Sequence, residues 1–93
     1  MEDNIDKIFK AIENEFKISH EDILSKNKKK HMAEARGILY YALHYHLKLS
    51  SAQVGKICNR QTRSIKKTTS DYKFLIENQE RYKKIYEKVL NAV

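Results

Sequence analysis

Apolar side chains recur at helical spacing along most of the chain. Near the start they share one face of a helix predicted over about residues 3–16: Ile5, Ile8, Phe9, Ile12 and Phe16. The run Ser19 to Asp22 is a second helix-start signal, and it leads into a short helical turn that carries Ile23 and Leu24. A polar, cationic segment, residues 25–31, follows without an apolar anchor.

The middle of the chain predicts the most buried helix. From Met32 to about Leu47 an apolar arc is centred on Leu39, and Tyr45 widens it. His46 lies on this arc, so we expect it to be a packed residue rather than a metal ligand. A last helix, about residues 78–92, places its apolar side chains at the same spacing: Tyr82, Ile85, Tyr86 and Val89. With no Pro and only two Gly, the chain is predicted to be all-α, a compact bundle of five to six helices.

Residues 50–67 have the pattern of two helices joined by a tight polar turn. Ser50 and Gln53 form a capping-box pattern that starts the first helix. Asn59 tolerates a left-handed turn and is expected to cap the second helix through its side chain. In that helix, predicted over residues 61–72, one side carries Gln61, Ile65, Thr69 and Tyr72. The opposite side carries Arg63, Lys66, Lys67 and Ser70, and Arg60 lies beside them at the start of the helix. A short helix, a turn and a helix with a cationic outer face has the geometry that enters a DNA major groove.

The length of the chain argues against a large enzyme, and its positive charge favours an anionic partner. The 93 residues predict one domain, too small for an enzyme with a deep cleft and a separate cofactor fold. Lys and Arg number 19 against 12 Asp and Glu, and a net charge of +7 attracts phosphate polymers or anionic membranes. The sequence shows neither a signal peptide nor a stretch of transmembrane length, so we expect a cytoplasmic, nucleoid-associated protein.

Candidate catalytic and metal chemistry is sparse. One cysteine, Cys58, excludes an internal disulfide and is expected to be a small apolar filler beside the turn. The four His show no metal-ligand spacing, and no Ser-His-Asp or paired-carboxylate pattern stands out. The six Tyr could suggest a platform for single strands, but the spacing of Tyr82 and Tyr86 favours helix packing. Tyr40 and Tyr41 are expected to divide between core and rim. We therefore expect no enzyme activity, cofactor or metal.

Several separated pieces of the chain fall in one register with a known family. Residues 21–26, EDILSK, are close to that family's "DLLSK", and the basic loop Lys28-Lys29-Lys30 follows. Ala35-Arg36 opens a long helix. Residues 49–55, LSSAQVG, match "LSLPEIG", and residues 59–65, NRQTRSI, lie where the family has "GRDHTTV". Over about residues 5–76 the chain resembles the C-terminal DNA-binding domain of the bacterial replication initiator DnaA, a helical domain built around a helix-turn-helix. The helix at about residues 78–92 exceeds what this resemblance requires.

The resemblance implies duplex DNA as the partner and assigns roles to residues. Base reading would fall to the residues that replace the family's Asp-His-Thr: Gln61, Thr62 and Arg63, with the hydroxyl of Ser64 retained. Arg60, Lys66 and Lys67 would hold phosphates or groove edges. Lys28 stands where the family inserts an arginine into the minor groove, and Lys29 and Lys30 would add phosphate contacts. Arg36 keeps a family arginine that resembles a phosphate clamp, whereas Glu34 and Ala35 replace an Arg-Pro pair.

The three residues that replace the family's base-reading residues leave more than one class of function open. Replacement of all three puts recognition of the family's own box sequence in doubt, although the new residues can still read bases. The family's ATPase module is absent from these residues, and no Gly-rich phosphate loop is present. A stand-alone module could regulate replication initiation or transcription, with a replication initiator or another protein as partner; the start at Met1 favours a natural small protein over a fragment. The alternatives are a protein-interaction module that lost DNA reading, and a basic RNA or single-strand binder.

Overall fold

Six helices follow one another in the structure, a computed structural model that describes residues 2–93, with side chains from Asn4 onward. They are α1 (Glu2–Phe16), α2 (His20–Leu24), α3 (Lys30–Tyr41), α4 (Ser51–Cys58), α5 (Thr62–Asn78) and α6 (Glu80–Asn91). A π-helical turn, Ala42–His46, continues α3. Residues 2–93 contain no strand. The predicted all-α bundle of five to six helices is confirmed, and its Cα radius of gyration is 11.8 Å.

The core surrounds α3 and receives buried side chains from all six helices. Four of the five predicted apolar residues of α1 are buried, and Ile5 is half-buried. Along α3 every side chain from Glu34 to Tyr40 is buried, which confirms it as the central helix. From α6, Tyr82 and Val89 reach the core while Ile85 and Tyr86 pack against its edge. The expected packing roles of these tyrosines are therefore confirmed. No helix in the described chain is long and apolar enough to cross a membrane.

The π-helical turn changes the direction of the side chains that follow α3. The backbone N–H of Leu47 donates to the carbonyl of Ala42 at 3.3 Å, five residues back. A turn that accommodates one more residue than an α-turn rotates the later side chains away from 100° spacing. Leu43 stays buried, but Tyr45 and His46 are exposed. The prediction that His46 is a packed residue is therefore wrong. Tyr40 is buried and Tyr41 half-buried, as expected for one core and one rim tyrosine.

The helix-turn-helix forms at α4 and α5. Ser50 Oγ accepts from the Gln53 N–H at 3.1 Å, and Gln53 Oε1 accepts from the Ser50 N–H at 2.8 Å, which confirms the predicted capping box. Asn59 has φ 55° and ψ 51°, the expected left-handed turn. A Cβ on Gly55 would lie 2.6 Å from the Arg60 carbonyl oxygen, so only glycine permits this close turn. Cys58 is buried beside the turn.

The start and end of α5 differ from the prediction. Gln61, not Asn59, is the N-cap residue, and it makes no side-chain capping bond. The expected cap by Asn59 is therefore wrong, because the turn extends two residues beyond it. The helix runs to Asn78, six residues past the predicted end, since Ile76 continues the buried face of Ile65 and Thr69. Gln79 alone separates α5 from α6.

Candidate nucleic-acid interface

The first turns of α5 present a polar, cationic outer face. Ile65 is fully buried and Thr69 nearly so, which fixes the rotation of the helix. The predicted outer residues Arg63, Lys66, Lys67 and Ser70 are all exposed, and so are Thr62 and Ser64. Gln61 is exposed as well, because it precedes the helix instead of lying beneath it. The rotation expected from the sequence is confirmed for the residues within the helix.

A second cationic element is the loop of residues 25–29, called loop 25–29 below. Lys28 and Lys29 are exposed on it, and Lys30 is exposed at the start of α3. Side chains within the loop shape its backbone: Ser25 Oγ accepts from the Asn27 N–H at 3.2 Å, and Asn27 Oδ1 accepts from the Lys29 N–H at 2.9 Å. These short-range bonds give the polar segment a defined conformation although it contains no apolar anchor.

Arg36 lies beneath loop 25–29, where it is only 8% exposed. Its Nε donates to the Ile23 carbonyl at 2.7 Å, and its Nη2 donates to the Ser25 carbonyl at 2.7 Å. The remaining bonds reach the Asp22 carbonyl, the Asn27 carbonyl and Ser25 Oγ. Burial lowers the pKa of this guanidinium, and the nearby charge of Arg60 lowers it further. In the free protein Arg36 is thus engaged by the backbone of α2 and the loop.

Arg60 joins the turn of the helix-turn-helix to the same loop. The side chain is half-buried, and its Nη2 donates to the Ser25 carbonyl at 2.5 Å. Its Nη1 lies 3.3 Å from the Leu24 carbonyl and also donates to the carbonyls of Cys58 and Asn59. The Ser25 carbonyl oxygen therefore accepts from two guanidinium groups at once.

A cleft of about 490 Å³ lies between loop 25–29 and α5. Four of the residues that were predicted as site residues line it: Lys28, Arg36, Arg60 and Ser64. The other predicted residues, Lys29, Lys30, Gln61, Thr62, Arg63, Lys66 and Lys67, do not line the cleft. Tyr40, whose pKa is raised by burial, also lines it. The structure thus places the two cationic elements on either side of one concave surface.

Among residues 4–93, no predicted site residue takes part in an ion pair. The pairs in that range are Arg81 with Glu34 and, when His20 is protonated, His20 with Glu13. No group of three or more His, Cys, Asp or Glu side chains in the described residues is placed to hold a metal ion. The arrangement is suited to an extended polyanion that contacts the loop and the helix together.

Sequence reasoning missed six residues that line the cleft: Lys26, Ala33, Tyr40, Thr68, Asp71 and Tyr72. Thr68 follows Ser64 by four residues and Asp71 follows Thr68 by three, so helical spacing alone could have identified them. Asp71 is the one carboxylate among the lining residues. Nothing in the pattern of residue types marks the Ser25 carbonyl, because a backbone acceptor is present at every position.

Comparison with known proteins identifies the family. A family model described as the bacterial DnaA protein helix-turn-helix matches residues 5–69. The chromosomal replication initiator protein DnaA of Borrelia garinii subsp. bavariensis is 39% identical over 61 residues, and so is that of Borreliella burgdorferi. Each match covers 66% of this chain and 13% of the relative, so the chain corresponds to a small part of those initiators. Loop 25–29, α4 and the first turns of α5 all lie inside the matched residues, and the chain belongs to the bacterial DnaA helix-turn-helix family.

Proposed function

We propose that this chain binds double-stranded DNA, with the first turns of α5 in the major groove and loop 25–29 on the adjacent backbone or minor groove. The observation that carries the proposal is the pair of exposed cationic elements on either side of one cleft, whose cations form no ion pair within residues 4–93. A major groove about 12 Å wide admits one helix, and the ridge of phosphates beside it would face the cleft.

The residues divide into two classes of contact. Gln61, Thr62 and Arg63 are exposed at the leading end of α5, where side chains reach base edges. Gln can pair with adenine through two hydrogen bonds and Arg with guanine, while Thr can contact a thymine methyl. The surrounding residues are proposed to contact phosphates and position the helix: Lys28, Lys29, Lys30, Ser64, Lys66 and Lys67.

The biological setting follows from the family. Its named relatives are chromosomal replication initiators, which supports a role in replication initiation or in regulation at initiator-type sites. The three changed reading positions lead us to propose a sequence preference that differs from that of the relatives. A module of this kind would act on the nucleoid in the cytoplasm, as a competitor or partner of an initiator.

Fluorescence anisotropy with a labelled duplex at two or more salt concentrations tests the proposal. Five exposed lysines are proposed as phosphate contacts: Lys28, Lys29, Lys30, Lys66 and Lys67. If all five neutralise phosphates, log affinity should fall against log salt with a slope of about −4.5. Single-stranded DNA and RNA serve as competitors. A slope near zero with retained affinity would contradict the electrostatic interface, and stronger competition by single strands or RNA would contradict duplex preference.

A further inference from the structure

We propose that Arg36 and Arg60 are positioning residues, which hold loop 25–29 against the helix-turn-helix so that Lys28 and α5 meet DNA as one preorganised surface. This inference rests on the proposed function. It assigns to both arginines a role in the free protein, in place of direct phosphate contact. The observation behind it is the Ser25 carbonyl oxygen, which accepts from Arg36 at 2.7 Å and from Arg60 at 2.5 Å.

The two guanidinium groups donate hydrogen bonds to the backbone carbonyls at the C-terminal end of α2. The last carbonyls of a helix have no partner within it. Arg36 donates to the carbonyls of Asp22 and Ile23, and Arg60 donates to that of Leu24. Cations are favoured at a helix C-terminus, so charge and hydrogen bonding act in the same direction. The polar end of α2 can therefore lie beneath loop 25–29 without unpaired acceptors.

Arg60 connects segments that are distant in the sequence. Its guanidinium bonds to Leu24 and Ser25 on one side and to Cys58 and Asn59 on the other. Loop 25–29 is thereby held to the turn between α4 and α5. Ser25 Oγ also accepts from the Asn27 N–H, and Asn27 Oδ1 accepts from the Lys29 N–H. The backbone is therefore restrained at both neighbours of Lys28.

The arrangement places two positive guanidinium groups close together, which costs electrostatic free energy in the free protein. A gain in DNA binding would offset that cost. Arg60 lowers the pKa of Arg36, so the two guanidinium groups repel each other across the shared carbonyl. Preorganisation offsets such a cost at the binding step, because a loop that is already ordered loses less conformational entropy when it contacts DNA. Lysine keeps the charge but lacks the planar fork that donates to several carbonyls at once. Arg→Lys variants therefore separate geometry from charge.

A double-mutant cycle on the full chain tests the inference. Arg60→Lys, Lys28→Ala and the double variant are measured on one duplex by anisotropy. We expect Arg60→Lys to weaken binding about tenfold, or about 1.4 kcal/mol, with an unchanged salt slope. In the Lys28→Ala background its effect should largely disappear, because the loop no longer presents the contacting lysine. Independent effects that multiply would show that Arg60 contacts DNA itself and would overturn the proposal.

Amide hydrogen exchange of the free protein gives a second measurement. Arg36→Lys and Arg60→Lys should speed exchange at Asn27 and Lys29, whereas Arg63→Lys, a charge-conserving change on the exposed face of α5, should not. Faster exchange throughout α3 would mean that the arginines only stabilise the whole fold, and unchanged exchange at the loop would mean that they do not hold it. Either result overturns the inference. Wild-type binding is measured first: if no duplex binds, the proposed function fails together with the positioning role, and loop exchange still reports whether the restraint exists.

Discussion

Glu34 at the start of α3 and Arg81 at the start of α6 form an ion pair, with Arg81 Nη2 3.0 Å from Glu34 Oε2. The Glu34 side chain is 7% exposed, and the Tyr82 hydroxyl donates to its Oε1 at 3.4 Å. Residue 34 lies inside the family match at 5–69, and Arg81 lies outside it. The sequence resemblance places an arginine at position 34, so the exchange to a carboxylate creates the acceptor to which α6 attaches.

Loss of Arg81 should destabilise the domain, because among residues 4–93 only the Tyr82 hydroxyl would then donate a side-chain hydrogen bond to the buried Glu34 carboxylate. Thermal melting followed by circular dichroism should show a lower Tm for Arg81→Ala than for Lys84→Ala, a matched exposed cation on the same helix. In a Glu34→Gln background, Arg81→Ala should cost less, since no buried charge remains. Equal melting temperatures for the two single variants would contradict a structural role of the pair.

Arg63→Ala should relax base preference without unfolding the protein. Its side chain is exposed on the outer face of α5, whereas the structural contacts of that helix run through Ile65. On a duplex selected for binding, the loss should be about 1–3 kcal/mol, and a scrambled duplex should lose much less. Lys67→Ala, a proposed phosphate contact, provides the comparison because it should weaken both duplexes similarly. An equal loss on both duplexes for Arg63→Ala would make Arg63 a phosphate contact as well.

Much of the fold could be predicted because its signals are local. The capping box of Ser50 and Gln53 needs only a three-residue spacing, and the buried side of α5 follows from the apolar Ile65 and the helical period. The predictions for His46 and Asn59 were wrong because of the geometry of the turns in which these residues lie. The π-helical turn rotates His46 out of the expected face, and the turn after Asn59 moves the N-cap to Gln61. Neither feature has a distinctive residue pattern.

The site was less accessible to sequence reasoning than the fold. Exposure of Arg63 and Lys67 follows from helical periodicity, so their place on the surface could be predicted. Arg36 resembles a phosphate contact in sequence, but its partners are backbone carbonyls 9 to 14 residues away. Those partners become visible only when the end of α2 is placed against α3. Residue types identify possible donors, whereas the tertiary arrangement decides which acceptors they meet.

Stability should fall at alkaline pH because burial raises the pKa of the Cys58 thiol from 9.0 to about 12. The unfolded chain therefore releases this proton at a lower pH than the folded chain does. The contribution is fully present below pH 9 and is lost as pH rises from about 9 to about 12. Tyr72 and Tyr86, whose pKa values burial raises to about 12, act in the same direction.

Urea unfolding of wild type and Cys58→Ala between pH 7 and pH 11 measures this dependence. Cys58→Ala should lower stability at every pH because it leaves a cavity, but its decline above pH 9 should be shallower. The comparison is between slopes, so the cavity does not affect it. Parallel declines in the two proteins would mean that the thiol remains protonated in both the folded and unfolded states over this range, or ionises equally in both.

Asp71 should limit the affinity for DNA, since it is the one carboxylate that lines a cleft otherwise bordered by cations and neutral groups. A phosphate that approaches the cleft is repelled by this side chain, and two unit charges 4 Å apart in water interact by about 1 kcal/mol. Asp71→Asn should therefore strengthen binding to any duplex by about fivefold. Glu77→Gln is the matched control, because Glu77 is an exposed carboxylate on the same helix outside the cleft. Equal gains for both variants would indicate a general effect of net charge. A loss confined to one duplex sequence would instead show that Asp71 accepts a hydrogen bond from a base.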